Sequence, residues 1–306
     1  PKQRFLGDRG LIGLIAFLSA FIPLSTDLYL PALPSMAQYF GTSAEEVNLT
    51  LILFFVFFAA GMLFWGPWSD KYGRRPVLLV GLSIYSLAGL LCAASQDINQ
   101  LIFFRVLQAV GASAASAVAT AMIKDVYESR NREVILAWVS SMVLISPMVA
   151  PAFGAILLGF TSWRGVFVAL AAIGLLALAG SLALQETLES RYSGSLWQSL
   201  GRLALVAKNP GFLSLLLIFS LLSFSSMAYI ASSSYIYIDG FSLSEKLYSL
   251  YFAFNALGMI GGPALYLRLS RRLSRRSIIM AGFAFISAGG LLVYLLGSRE
   301  PWMFAA

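Results

Sequence analysis

The sequence predicts an all-α membrane protein made of two tandem six-helix repeats, the second of them cut short. Of its 306 residues, 59% are hydrophobic and only 11% are charged, whereas soluble domains carry about 25% charged residues. The apolar residues form nine runs, each close to the roughly 20 residues that an α-helix needs to cross a bilayer. A single long polar connection divides these runs into six and three, the layout expected of tandem repeats.

The nine predicted spans follow one another through short loops. They cover about residues 11–33, 46–66, 76–95, 99–122, 134–158, 164–185, 211–237, 247–267 and 277–297. We predict an N-terminal six-helix repeat over 1–185, a central loop over 186–210 and a partial C-terminal repeat over 211–306. An amphipathic piece from Leu196 to Val206 is expected to lie along the membrane surface. Because only the start of a tenth span follows, the second repeat is expected to be truncated.

The basic residues predict the orientation of the chain. Most of the 21 lysines and arginines precede the first span or lie in alternate loops, including the central loop. Basic loops stay in the cytoplasm, so the N-terminus and the central loop are predicted to be cytoplasmic. The same distribution explains the net charge of +7 without a nucleic-acid partner. With no histidine and one cysteine, Cys92, we expect neither a metal site nor a disulfide.

A charged segment between the second and third spans is predicted to form a hairpin at the cytoplasmic face. Gly73 permits the reversal, and Pro76 suits the first turn of the next helix. Asp70, Arg74 and Arg75 are expected to meet the ends of neighbouring helices as a latch, although the arginines alone also fit an orientation signal. The whole segment reads Gly66-Pro-Trp-Ser-Asp70-Lys71-Tyr-Gly73-Arg74-Arg75-Pro76.

Two ionisable residues fall well inside predicted spans, Asp27 in the first and Arg105 in the fourth. Each costs about 2.5–3.5 kcal/mol at a membrane position even on the lenient scale, so neither is expected to face lipid. Both are predicted about 9 Å beneath the outer surface. They could interact directly or through water, either as an ion pair that locks two helices together or as a proton-coupling pair. Gln108 lies one turn from Arg105 on the same helix face.

Small residues and prolines mark two further spans. In the fifth span, Pro147 and Pro151 adjoin a face of small residues that includes Gly154. The eighth span presents a similar surface at Gly258, Gly261 and Gly262. Both surfaces predict close helix packing, or alternatively a seam along which the two repeats slide.

These motifs together resemble the major facilitator superfamily of transporters, and within it the proton-coupled drug exporters of the bicyclomycin and chloramphenicol resistance branch. The resemblance covers nearly the whole chain, although Ala150 and Ala155 replace glycines common in the antiporter motif of exporters. It is carried by the segment from Thr26 to Pro34, the loop from Gly66 to Pro76, the segment from Arg105 to Gly111 and the proline motif of span 5.

The resemblance implies a multi-pass protein of the bacterial cytoplasmic membrane that exports small, largely apolar drugs in exchange for protons. No cofactor beyond the proton gradient is expected, and the protein is predicted to act as a monomer. Tyr29, Tyr229 and Tyr235 are candidates for the wall of a drug cavity. A second hypothesis keeps the transporter but changes the cargo to an amino acid, sugar or nucleoside. A membrane enzyme or receptor is disfavoured because the spans carry no nucleophile and base set.

Overall fold

The computed structural model describes residues 5–191, 194, 196, 198, 201, 205–206 and 208–296. Within these ranges the regular elements are helices, and no strand occurs. The helices are α1 (Gly7–Ser19), α2 (Phe21–Asp27), α3 (Leu33–Phe40), α4 (Ala44–Tyr72), α5 (Arg74–Ala94), α6 (Ile98–Val126), α7 (Ser129–Leu158), α8 (Trp163–Leu182), α9 (Pro210–Ser234), α10 (Glu245–Leu269) and α11 (Arg275–Leu296).

Helices lie at all nine predicted spans. By length and hydropathy alone, five of the described helices could cross a membrane, or six if the bent first pair forms one span. That result supports a multi-pass membrane protein. For the three remaining helices, α7, α10 and α11, the positions are confirmed and the crossing itself stays a prediction. Most of the predicted amphipathic piece from Leu196 to Val206 lies outside the described residues.

The first span is broken rather than continuous, as its prolines suggest. The helix stops between α1 and α2, because Pro23 has no N–H to donate to the carbonyl of Ser19. A short 3₁₀ turn at Leu30–Ala32, which contains Pro31, then separates α2 from α3. The segments on either side of the first break are bent by 40°. Asp27 therefore lies at the end of a short helix, beside irregular backbone.

The predicted hairpin over Gly66–Pro76 is wrong in its extent. Helix α4 continues to Tyr72 and α5 begins at Arg74, so Gly73 alone makes the reversal. Its φ of 105° lies in the region that glycine alone adopts readily. The charged residues before Gly73 do not end the helix, because a helix end can present them to water while its backbone stays hydrogen-bonded.

Helix α6 is the central element of the first half. It packs along α4 and α5, while α5 also packs along α8. The contact between α5 and α6 is close: a Cβ added at Gly111 would overlap the backbone of Tyr85 and Gly81. The buried alanines Ala112 and Ala115 continue this face of α6. Small residues thus bring α6 near its neighbours.

The second half meets the first mainly through α10, which packs against α7. Helix α9 ends in a π-helical turn, Tyr235–Gly240, close to the start of α4. No long connection other than 183–209 separates consecutive helices in the described part of the chain. This interval coincides with the predicted central loop, and the division of the chain into repeats remains a prediction.

Candidate functional site

The side chain of Arg105 is the largest fully buried group in the described structure. Its Nη1 donates to Gln108 Oε1 at 2.6 Å, and its Nη2 donates to the main-chain carbonyl of Ser25 at 3.1 Å. The guanidinium centre also lies 4.2 Å from the Phe54 ring and 4.4 Å from the Tyr29 ring. The faces of these two rings therefore help to stabilise the cation in a site that is shielded from water.

Two hydrogen-bond donors in this cluster are unused. Arg105 Nε and Gln108 Nε2 are buried and have no hydrogen-bond partner among the described residues. Leaving a buried donor without an acceptor costs about 1–3 kcal/mol, and more when the group is charged. The arrangement can therefore accept an additional oxygen ligand, which would gain a favourable interaction on reaching Arg105.

Asp27 is also buried, with 3% of its surface exposed. Its Oδ1 lies 2.9 Å from the Thr26 hydroxyl. Ser25, two positions before Asp27, contacts two helices at once: its hydroxyl is 2.8 Å from the Tyr85 hydroxyl, and its carbonyl accepts from Arg105. The backbone of α2 therefore connects the environment of Asp27 to that of Arg105.

The structure does not join Asp27 and Arg105 directly. Within the described residues, the ion pairs at 4.0 Å or less both involve Arg74, with Asp70 and Asp125. The prediction that two intramembrane charges share one region is supported, since Arg105 reaches the residue two positions before Asp27. A direct contact between them is absent from this conformation, because the guanidinium is already held by Gln108 and Ser25.

The predicted cavity tyrosines lie in packed surroundings. Tyr29 is fully buried beneath Arg105, with its hydroxyl 3.3 Å from Thr50 Oγ1. Tyr229 stacks on Phe252 with ring centroids 5.8 Å apart. Tyr235 donates to the main-chain carbonyl of Ala44 at 3.5 Å. In this conformation these side chains connect helices, and a role in holding substrate remains a prediction.

A second cluster of charges surrounds Gly73. Arg74 Nε donates to Asp125 Oδ2 at 2.7 Å, and Arg74 Nη1 donates to Asp70 Oδ1 at 2.5 Å. The Asp70 side chain is half exposed, whereas that of Asp125 is only 15% exposed. Lys71 lies over the Tyr72 ring at 5.7 Å, and the Gly66 carbonyl accepts from Ser69 Oγ at 2.8 Å.

Glu186 supplies the carboxylate that the sequence assigned to Asp70. Its oxygens accept from the main-chain N–H groups of Arg74 and Arg75, at 2.9 and 3.2 Å, and so satisfy the N-terminus of α5. Arg75 Nη2 donates to the carbonyl of Leu182, at the C-terminus of α8, at 2.9 Å. The expectation of a guanidinium at a helix C-terminus is confirmed. Asp70 instead pairs with Arg74 of its own hairpin.

The predicted packing surface of α7 is confirmed at its C-terminal end. A Cβ on Gly154 would overlap the main-chain carbonyl of Leu28, so α7 lies directly against the peptide that follows Asp27. Pro151 is buried nearby, and its carbonyl lies 3.0 Å from Ser249 Oγ of α10, which is also 2.8 Å from the carbonyl of Glu245 on its own helix. Pro147 lies one turn earlier and is partly buried.

The matching surface of α10 makes no such contact among the described residues, and its packing stays a prediction. A Cβ on Gly258, Gly261 or Gly262 would meet nothing within 4 Å among the described residues. The contact between α7 and α10 is made nearer the start of α10, at Ser249. Small residues spaced along a helix permit close packing, but they do not determine which turn of the helix makes the contact.

Sequence reasoning missed three residues of these clusters: Asp125, Glu186 and Thr26. Asp125 and Glu186 stand at the ends of spans on the side of the Gly73 reversal, so their position could have suggested partners for Arg74 and Arg75. Thr26 precedes Asp27 in the sequence, and nothing in the sequence alone assigns it a role. Its significance comes from two short distances that only the folded helix creates.

The family of this chain follows from its similarity to known proteins. Residues 15–306 match the family described as Major Facilitator Superfamily. The chain belongs to this superfamily. Its members are transporters, which is consistent with the prediction that the chain is not an enzyme.

Curated relatives of this superfamily member confirm the predicted branch. It is 32% identical over 274 residues to the uncharacterized MFS-type transporter YdgK of Bacillus subtilis, covering 88% of this chain and 67% of that protein. It is 31% identical over 309 residues to a chloramphenicol resistance protein of Pseudomonas aeruginosa, covering 98% and 72%. A bicyclomycin resistance protein homolog of Haemophilus influenzae is 25% identical over 303 residues, covering 95% and 74%.

Solved structures agree with the fold. A bacterial homolog of the human lysosomal transporter Spinster, in an inward-facing and unoccupied conformation, matches with a TM-score of 0.74 and 19% identity, covering 100% of this chain and 72% of that one. A D-xylose–proton symporter matches with a TM-score of 0.66 and 16% identity, covering 96% and 78%. At these identities the likeness establishes the all-helical superfamily fold.

Proposed function

We propose that the chain belongs to an exporter of small, largely apolar drugs that is driven by proton exchange across the bacterial cytoplasmic membrane. The observation that carries the proposal is the burial of Asp27 beside α6, with its carboxyl group hydrogen-bonded to Thr26 and unpaired with Arg105. A buried carboxyl group that is not paired with a cation is costly when charged. Such a group suits the uptake and release of a proton.

The arrangement supports a specific coupling step. In the conformation described here, Arg105 is held by Gln108 and Ser25, and its Nε has no acceptor. When Asp27 releases its proton toward the cytoplasm, the new carboxylate becomes the natural acceptor for that donor. Protonation from the outside breaks the pair again and returns the helices to the present arrangement.

This cycle gives alternating access a physical cause. We propose that pairing of Asp27 with Arg105 moves α2 relative to α6, and α2 is packed against α7 at Gly154. Helix α7 in turn contacts α10 of the second half through Ser249. A change in the charge of one carboxyl group can therefore alter the contact between the two halves.

The names of the relatives and the side chains around Arg105 support small apolar drugs as the cargo. Two of the relatives are named as chloramphenicol resistance proteins, and a third is named as a bicyclomycin resistance homolog. Around Arg105 the side chains are mostly aromatic, which suits small apolar molecules with few polar anchors. We propose that the protein works as a monomer, with its N-terminus and central loop in the cytoplasm.

The test is drug-induced proton movement in liposomes that contain the full-length protein, with chloramphenicol as the probe. We expect the unmodified protein to exchange drug for protons, and the Asp27→Asn variant to lose uphill export while still binding the drug. Glu46→Gln is the matched control, because Glu46 is an exposed acid at the start of α4. Wild-type exchange by Asp27→Asn would place the coupling site elsewhere, and metabolite transport in place of drug transport would favour the second hypothesis.

A further inference from the structure

The hydroxyl of Thr26 lies between two oxygen atoms that both attract a hydrogen-bond donor. Its Oγ1 is 3.0 Å from the main-chain carbonyl of Ile22 and 2.9 Å from Asp27 Oδ1. Thr26 is buried, and Asp27 beside it is buried as well. A hydroxyl carries a single hydrogen atom and two acceptor lone pairs, so it can donate to only one of these neighbours at a time.

The two contacts have different requirements. The Ile22 carbonyl can only accept, and a threonine hydroxyl that donates to the carbonyl four residues back is a common arrangement in helices. If Thr26 donates to Ile22, its contact with Asp27 is favourable only when Asp27 carries a proton and donates to Thr26. If Asp27 is charged, the Thr26 hydroxyl must instead turn toward the carboxylate. The same side chain thus fits both protonation states of Asp27.

The groups around this pair leave Thr26 as the partner of Asp27. On α6, Arg105 donates to Ser25 and not to Asp27. On α5, the Tyr85 hydroxyl contacts Ser25. On α10, the buried Tyr248 is near enough to Asp27 to interact with it electrostatically, and its hydroxyl lies 3.1 Å from Ser233 Oγ. Helix α7 approaches α2 through Gly154 and brings no ionisable group to Asp27 in the part of the chain that the structure describes.

We infer that Thr26 is a positioning residue for proton exchange at Asp27, an inference that rests on the proposed function. Protonated Asp27 donates to Thr26, which donates to the Ile22 carbonyl. When Asp27 gives its proton to water on the cytoplasmic side, the Thr26 hydroxyl rotates and donates to the new carboxylate, alongside the bond from Arg105 proposed above. Thr26 keeps its own proton throughout, and no covalent bond other than the O–H bond of Asp27 is broken.

The rotation gives each protonation state of Asp27 a hydrogen-bond partner within a buried site. Without the hydroxyl, both states would lose that partner, and the charged state would lose more because hydrogen bonds to a charged group are stronger. Removal of the hydroxyl is therefore expected to favour the protonated acid and to move the exchange reaction to higher pH.

The test compares Thr26→Val, which removes the hydroxyl at similar volume, with Thr26→Ser, which keeps it. In liposomes with the full-length protein and chloramphenicol, Thr26→Val should shift the pH midpoint of drug-induced proton release upward by about half a unit or more, roughly a threefold change in the proton equilibrium. Thr26→Ser should keep the wild-type midpoint. Wild-type midpoints in both variants would overturn the inference.

An infrared measurement tests the hydrogen bond independently of transport. The carbonyl stretch of protonated Asp27 is isolated as the difference between the purified protein and its Asp27→Asn variant. Loss of the bond to Thr26 should move this band to higher frequency in Thr26→Val and leave it in place in Thr26→Ser. An unmoved band in Thr26→Val would refute the role of Thr26. Absence of drug-driven proton movement in the unmodified protein would instead refute the proposed function, with the infrared result still deciding the hydrogen bond.

Discussion

Gly154 of α7 lies directly against the main-chain carbonyl of Leu28, the residue that follows Asp27. The contact is between two backbones, so neither side can yield by rotating a side chain. It places the proline-containing helix of the first half against the irregular backbone that follows the buried acid. Since α7 also contacts Ser249 of α10 through the carbonyl of Pro151, Gly154 lies between Asp27 and the interface with the second half.

Substitution of Gly154 by alanine should therefore impair the protein more than its small size suggests. The added Cβ would overlap the Leu28 carbonyl, and relief requires separation of α7 from α2, at a cost of about 1–3 kcal/mol. We expect a lower melting temperature of the full-length protein in detergent and reduced drug export. Gly258→Ala is the control, because a Cβ there meets nothing within 4 Å. Equal melting temperatures for the two variants would contradict the prediction.

Gly73→Ala should be destabilising for two separate reasons. Alanine at a φ of 105° is strained, which costs about 1–3 kcal/mol, and its Cβ would meet the Glu186 carboxylate that satisfies the N-terminus of α5. Thermal unfolding of the purified full-length protein measures the effect. The matched control, Gly66→Ala, lies inside α4 with open space around it, and it should be neutral or slightly stabilising. A control variant as unstable as Gly73→Ala would point to a different cause.

The two carboxylates that share Arg74 should contribute unequally. Asp70 is half exposed, so Asp70→Asn is expected to cost at most about 1 kcal/mol. Asp125 is mostly buried against Arg74, whose side chain is 5% exposed, so Asp125→Asn should approach the roughly 3–5 kcal/mol lost when one partner of a buried pair is removed. Chemical unfolding in detergent separates the two values, and a larger loss for Asp70→Asn would refute this ranking.

We also predict that Asp70→Asn leaves the protein inserted but lowers transport.

Arg105→Lys should abolish export while the protein remains inserted in the membrane. A lysine ammonium lacks the planar fork that reaches Gln108 and Ser25 together, and it stacks less well on the rings of Tyr29 and Phe54. Export assays in cells, with membrane levels measured in parallel, test this. Arg164→Lys provides a comparison at a second guanidinium that also lies over aromatic rings, in the first turn of α8. Retained export in Arg105→Lys would show that charge alone suffices.

Much of the fold could be predicted from the sequence because its signals are local. In the described residues each of the nine apolar runs is helical, the first in separate segments, and a glycine before two arginines gives the reversal at Gly73. The break in the first span follows from Pro23 and Pro31, whose missing N–H groups interrupt the hydrogen-bond ladder. The pairing of Arg105 with Gln108 follows from their spacing on one helix.

The partners of the charged residues could not be predicted, because they come from distant parts of the chain. Arg74 meets Asp125, which is 51 residues away in sequence, and its main-chain N–H meets Glu186, which is 112 residues away. Which carboxylate reaches a given arginine depends on how helices are rotated and how far they slide along one another. Side-chain volumes across the whole interface set those quantities.

The sequence by itself determined that the side chains of Asp27 and Arg105 are removed from water, because hydropathy and helix length place both residues inside apolar segments. Only the tertiary structure decided what surrounds them. Packing of α6 against α2 gives Arg105 the carbonyl of Ser25, and the turn of α2 gives Asp27 the hydroxyl of Thr26. The physical reason is that burial depends on the composition of a segment, whereas a hydrogen bond depends on distances of about 3 Å that only the packed helices fix.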